Sequence, residues 1–174
     1  MWCSCEPPPL QAKRSGLPAD CSLGVSELDK DTPLSISVLG LGHVGLPTAL
    51  SFAELGWQVT GADDDAYVTK TVGAGTAPFF EPGVQEALDK HLRTGNFKVS
   101  PDVATAIRET NVIFICVGTP QGADGSVDLT QLDGVAQAIA ANLNGEKIVV
   151  EKSTSPVQTA KQIKANIQRY AGLS

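Results

Sequence analysis

At 174 residues the chain has room for one domain of ordinary size, and 42% hydrophobic with 18% charged residues is a globular composition. A formal net charge of −6 argues against nonspecific attraction to nucleic acid or to an anionic membrane. The longest apolar run, Val112 to Val117, falls far short of the roughly 18 residues that suggest a membrane-crossing helix.

Residues 1–32 carry Pro7, Pro8, Pro9 and Pro18 with little periodic hydrophobicity, which predicts a disordered leader ahead of a folded domain over residues 33–174. Cys3 and Cys5 have no second pair or nearby histidine to complete a metal site, and Cys116 reads as a small buried strand residue. No metal is expected. No apolar signal-peptide core follows Met1, so a reducing, cytoplasmic location is the expectation.

The first predicted strand is Ser35 to Leu39, followed by a helix from Val44 to Leu55 that ends near Gly56. Trp57 to Ala62 is a second strand. A less regular stretch runs to Pro82, after which Val84, Ala87, Leu88 and Leu92 mark one face of a helix stopped by Gly95. His91 on that helix has charged neighbours and is expected to face solvent. Phe97 to Val99 is a brief third strand, and Ser100 before Pro101 reads as a helix start.

Asn111 to Val117 is the clearest strand, and its lack of polar alternation predicts burial on both faces, as in a parallel sheet. Asp128 with Gln131 has the spacing of a capping box opening a helix through about Leu143. Lys147 to Val150 is a fifth strand, and Ser155, Pro156 and Gln158 open a last helix to about Tyr170. The alternation predicts an α/β fold, a doubly wound parallel sheet of the Rossmann type with about five strands.

Gly40, Gly42 and Gly45 in "SVLGLGHVGLPTAL" have the GxGxxG spacing directly after a predicted strand and at the start of a predicted helix. In that setting the first glycine permits the tight turn, the second lets a pyrophosphate approach the backbone, and the third lets helix and sheet pack closely. Leu41, His43 and Val44 belong to the same loop. His43 would contribute its backbone and has no acid or base role. Asp63, 18 residues after Gly45 at the end of the second strand, stands where such folds bind the adenosine ribose hydroxyls. Asp64 and Asp65 read as a turn or a helix cap. Three carboxylates without a nearby Arg favour NAD over NADP.

At these residues the chain resembles the UDP-glucose/GDP-mannose dehydrogenase family, specifically its N-terminal NAD-binding domain, from Ile36 to the C-terminus. The resemblance rests on "SVLGLGHVGLPTA", "VTGADDD", "GTAPFFEPGV", "VIFICVGTPQGADGSVDL" and "VVEKSTSPVQT" in the family's order. It implies that Val117, Gly118, Thr119 and Pro120 line the NAD site after the fourth strand, although Thr119 could equally cap its loop. It implies further that Ser153 and Thr154 reach the nicotinamide end, with Thr154 positioning a catalytic water or else capping the last helix with Ser155. Glu81 is given no chemistry. The sequence departs from the family where Val68 stands in place of a basic residue, which puts one phosphate contact in doubt. Gln158 stands in place of Gly or Arg, where it is expected to complete a capping box with Ser155.

Family members oxidise the C6 alcohol of a nucleotide sugar to a carboxylate through a cysteine-linked thioester. The family's catalytic Lys and Cys and its "PEFL" glutamates are expected beyond Ser174, so nucleotide-sugar binding is expected only with that part present, and the chain alone is expected to lack turnover. The alternative is a stand-alone, non-catalytic NAD-binding module. "EPGV" and "EKSTSPV" argue against a hydroxyacyl-CoA type of dehydrogenase. With a sixth strand apparently missing, Lys147 to Val150 would form an exposed edge prone to self-association.

Overall fold

The computed structural model describes residues 34–100, 102–122, 125–153 and 158–172. The expected leader, Pro101 at a helix start, and Thr154 and Ser155 lie outside the described residues. In chain order the elements are β1 (Ser35–Leu39), α1 (Gly45–Glu54), β2 (Gln58–Ala62), α2 (Ala66–Gly73), α3 (Val84–Thr94), β3 (Phe97–Val99), α4 (Val103–Glu109), β4 (Val112–Ile115), α5 (Thr130–Ala141), β5 (Ile148–Glu151) and α6 (Thr159–Tyr170).

The strands form a five-stranded sheet in the order β3-β2-β1-β4-β5, with every pairing parallel. This is the expected doubly wound, Rossmann-like α/β fold, with β1 at the centre where the winding reverses. Side chains on a strand alternate between faces. Ile36 and Val38 therefore pack with Leu46 and Leu50 of α1 and Leu88 of α3. Leu39 packs on the other face with Ile107 of α4, Leu132 and Ile139 of α5, and Ile163 of α6. β4 is covered on both faces, because Ile113 and Ile115 enter the second core while Phe114 packs against Phe52 at 4.9 Å between ring centroids. Among the described residues β5 pairs with β4 alone, and Ile148 is 41% exposed.

Several local expectations are corrected. The stretch before Pro82 contains α2, whose signal is weak because Val72 is its one buried residue; Asp65 caps it by accepting from the Tyr67 backbone N–H at 2.8 Å. α4 is capped by Asp102 rather than Ser100, with the Thr105 N–H donating to Asp102 Oδ1 at 2.7 Å. The Asp128 and Gln131 capping box does not form. Asp128 Oδ1 accepts from the Thr130 N–H at 2.9 Å, and Leu129 is the cap residue, without a side-chain bond. α6 begins after Gln158, which makes no side-chain cap bond and sits at φ +89°.

His91 does not face solvent: it is 2% exposed, and its Nε2 lies 2.6 Å from Glu54 Oε2. The α3 face that carries Leu88 turns His91 toward α1 as well, and Glu54 at the end of α1 supplies the polar partner that burial requires. A second tie fixes β5: Lys147 Nζ donates to the carbonyls of Ile107 at 2.7 Å and Thr110 at 2.5 Å, closing the C-terminal end of α4.

Candidate functional site

The C-terminal ends of β1, β2, β4 and β5 lie along one edge of the sheet, and every described candidate residue stands there or on the loops that follow. The turn after β1 begins at Gly40, whose φ is +94° and whose N–H donates to the Ala62 carbonyl at 2.9 Å, holding the turn against β2. A Cβ at Gly40 would lie 2.7 Å from the Cys116 carbonyl oxygen, and one at Gly45 would lie 1.7 Å from the Gly40 carbonyl oxygen. These two glycines are demanded by the fold itself. Gly42 differs, because a Cβ there would meet nothing within 4 Å. Its lack of a side chain leaves open space above the turn where a ligand backbone could approach.

Asp63 faces this turn. Its Oδ2 accepts from the Leu41 N–H at 2.6 Å and its Oδ1 accepts from the Asp65 N–H at 2.9 Å. Each carboxylate oxygen keeps a second lone pair, so the bonds orient the group without exhausting it. Leu41 buries its side chain completely beneath the turn. His43 is exposed, and its ring stacks on Phe79 at 4.1 Å with an interplanar angle of 22°. Val44 is 48% exposed at the start of α1.

The loops after β4 and β5 are joined to each other. Ser153 Oγ donates to the Val117 carbonyl at 2.8 Å, and the Lys152 N–H donates to the Ile115 carbonyl at 3.0 Å. Beyond Val117, Gly118, Thr119 and Pro120 the chain turns back, with the Asp128 N–H donating to the Pro120 carbonyl at 2.8 Å and Gln121 bridging Val127. Cys116 beside the turn is buried, which pushes its thiol up to about 11 against a smaller opposing effect of the Lys152 charge. It packs in the core beneath the turn. Thr154 lies outside the described residues.

A cavity of about 470 Å³ opens between these strand ends and α5, lined by Gly40, Asp63, Asp64 and Val117 on one side and Gln131 and Val135 on the other. Asp64 and Gln131 were not anticipated as lining residues. For Gln131 the signal lay in α5, where Gln131, Gly134, Val135 and Ala138 recur at helical spacing on the face that lines the cavity. Other cavities of comparable size, between α5 and α6 and between α1 and α3, hold none of the expected residues.

A glycine turn between β1 and α1, with the acid ending β2 bonded into it, is the arrangement that binds dinucleotides at the switch point of a parallel sheet. The comparisons agree. The model of the UDP-glucose/GDP-mannose dehydrogenase family's NAD binding domain matches residues 34–172. The chain belongs to this family.

UDP-glucose 6-dehydrogenase TuaD of Bacillus subtilis is 37% identical over 134 residues, which are 77% of this chain and 29% of that protein. UDP-glucose 6-dehydrogenase of Pseudomonas aeruginosa is 38% identical over 135 residues, 78% of this chain and 30% of that protein. Among solved structures, a UDP-glucose dehydrogenase of Pyrobaculum islandicum superposes with a TM-score of 0.76 at 34% identity, over 83% of this chain and 34% of that one. The chain thus spans about a third or less of the length of these relatives. It is an NAD-binding domain of the family, and NAD is the cofactor that the family implies. The residues fit that cofactor: open space over Gly42 suits a pyrophosphate, and the Asp63 carboxylate with free lone pairs suits a ribose diol. No helix among the described residues is long and apolar enough to cross a membrane.

Proposed function

We propose that the protein is an NAD-dependent enzyme that oxidises the C6 alcohol of a nucleotide sugar to a carboxylate, with this domain holding the hydride acceptor. UDP-glucose is the first substrate to test, because relatives at 37 and 38% identity are UDP-glucose 6-dehydrogenases. In this reading the turn formed by Gly40, Leu41, Gly42, His43, Val44 and Gly45 receives the pyrophosphate at the start of α1, through those of its N–H groups that are not bonded to Ala62 and Asp63. Asp63 takes the adenosine ribose hydroxyls. Val117, Gly118, Thr119, Pro120 and Ser153 follow the cofactor toward its nicotinamide end, where Thr154 orients a water. The domain is residues 33–174, and the protein works in the cytoplasm. The outer edge of β5 is where a further strand or a second copy adds.

The observation that carries the reading is the bond from the Leu41 N–H to Asp63 Oδ2 at 2.6 Å, since it places the carboxylate against the glycine turn before any ligand arrives. Calorimetric titration of the chain with NAD and NADP tests it. NAD is expected to bind more tightly, since a 2′-phosphate would face the carboxylates of Asp63 and Asp64. Asp63→Asn preserves the shape, removes the charge and is expected to weaken NAD binding by about tenfold or more. Equal affinity for the two cofactors, or no loss in Asp63→Asn, overturns the assignment. For the activity, NADH formation by the whole protein with UDP-glucose is the measurement.

A further inference from the structure

Gln131 lies on the first turn of α5 and reaches across the cleft to the loop after β4: a Cβ on Gly118 would meet Gln131 Oε1 at 3.2 Å. Its amide has no hydrogen-bond partner among the described residues, and it belongs to the wall facing Asp63 and Asp64. Along the cavity the α5 face continues one and two turns on as Gly134, Val135 and Ala138, and Val117 lines it from the loop after β4. The result is a slot with an apolar interior and small residues along one wall, which suits a flat ring. Its polar lining includes two carboxylates, Asp63 and Asp64, from the end of β2 and a single neutral amide, Gln131, from α5.

We propose that Gln131 is a specificity-determining residue that reads the edge of the adenine base of the bound dinucleotide. The inference rests on the functional reading above, in which Asp63 holds the adenosine ribose. A base attached to that ribose enters the slot beside Gln131. The 6-amino edge of adenine offers an N–H donor next to a ring-nitrogen acceptor, and a glutamine amide offers the complementary acceptor and donor in one plane. Carboxylates cannot do this, because they accept at both oxygens. Gln131 supplies the donor that Asp63 and Asp64 lack.

The experiment is a thermodynamic cycle on the full chain, with NAD and etheno-NAD as ligands and Gln131→Met as the variant. In etheno-NAD the amino nitrogen and the adjacent ring nitrogen are closed into a third ring, so the base keeps its flat face and loses the donor–acceptor edge. Met keeps the length and apolar cover of Gln and removes only the amide. Gln131 is exposed and without a partner, so the melting temperature of the variant should equal that of the parent, and this is measured first. The expected result is that Gln131→Met weakens NAD binding about tenfold and changes etheno-NAD binding less than about twofold. An equal loss for both ligands, or no loss for NAD, overturns the inference while leaving the functional reading intact. A parent chain that binds no NAD overturns both.

Discussion

Glu54 Oε2 lies 2.6 Å from Nε2 of the buried His91, joining the end of α1 to α3. The other ring nitrogen, Nδ1, is buried with no partner among the described residues. With Nε2–H donating to Glu54, Nδ1 is left as a bare acceptor, a smaller cost than a buried unpaired donor. His91 therefore acts as a packing residue with one polar tie. His91→Ala is expected to destabilise the fold by about 2 kcal/mol through the cavity it leaves. His91→Leu, which fills the site and removes the orphaned nitrogen, is expected to cost much less, since Glu54 remains half-exposed to water and to Lys90. Thermal denaturation of both variants checks the contrast.

The same carboxylate makes stability sensitive to acid. Its hydrogen bond from Lys90, and then that from His91, hold Glu54 below its ordinary value of 4.5. A carboxyl group whose value is depressed in the folded state contributes stability that is fully present above its unfolded value and is lost as pH falls through the folded one. Asp102, Asp128 and Asp133 are lowered too, chiefly by Thr105, Thr130 and Tyr170 respectively. Urea midpoints should therefore stay level down to about the ordinary carboxylate range near pH 4 and then fall. Glu54→Gln should shallow that fall without changing where it begins. A midpoint already declining between pH 7 and 5 would contradict the assignment.

Two glycines of one motif should separate fold from binding. Gly45→Ala drives a Cβ to 1.7 Å from the Gly40 carbonyl oxygen, so α1 must move off the sheet. That variant should melt well below the parent or fail to fold. Gly42→Ala meets nothing within 4 Å, and its melting temperature should match the parent. Its NAD affinity should drop at least tenfold, because the methyl group occupies the approach to the turn. Melting curves and calorimetry on the two variants make the test.

Gln158 is the one non-glycine with positive φ among the described residues, at +89° just before α6. A side chain in that conformation costs about 1–2 kcal/mol, which glycine escapes at some expense in chain entropy. Gln158→Gly should raise stability by about 0.5–1 kcal/mol, and Gln158→Val should lower it. Denaturant midpoints of the two variants, moving in opposite directions, are the expected result.

The family departure at Gln158 was legible in the sequence, whereas its backbone strain was not, and Ser155, its expected partner in a capping box, lies outside the described residues. The same division runs through the molecule. The five strands in order, the parallel sheet, the glycine turn and the position of Asp63 follow from the sequence because each is a local pattern: strand, turn and helix signals adjoin one another, and the acid falls at the end of the next strand. The burial of His91 and the cap at Asp102 were misread, and α2 with its single buried residue left too little periodicity to notice. Gln131 shows the reason most plainly. Local spacing offered it to Asp128, three residues away, as a capping partner. Only the parallel sheet, by bringing the ends of β1 and β2 alongside α5, placed it across a cleft from Asp63. A side chain's partner is chosen by whichever surface the packed chain brings nearest, and that surface comes from residues far away in the sequence.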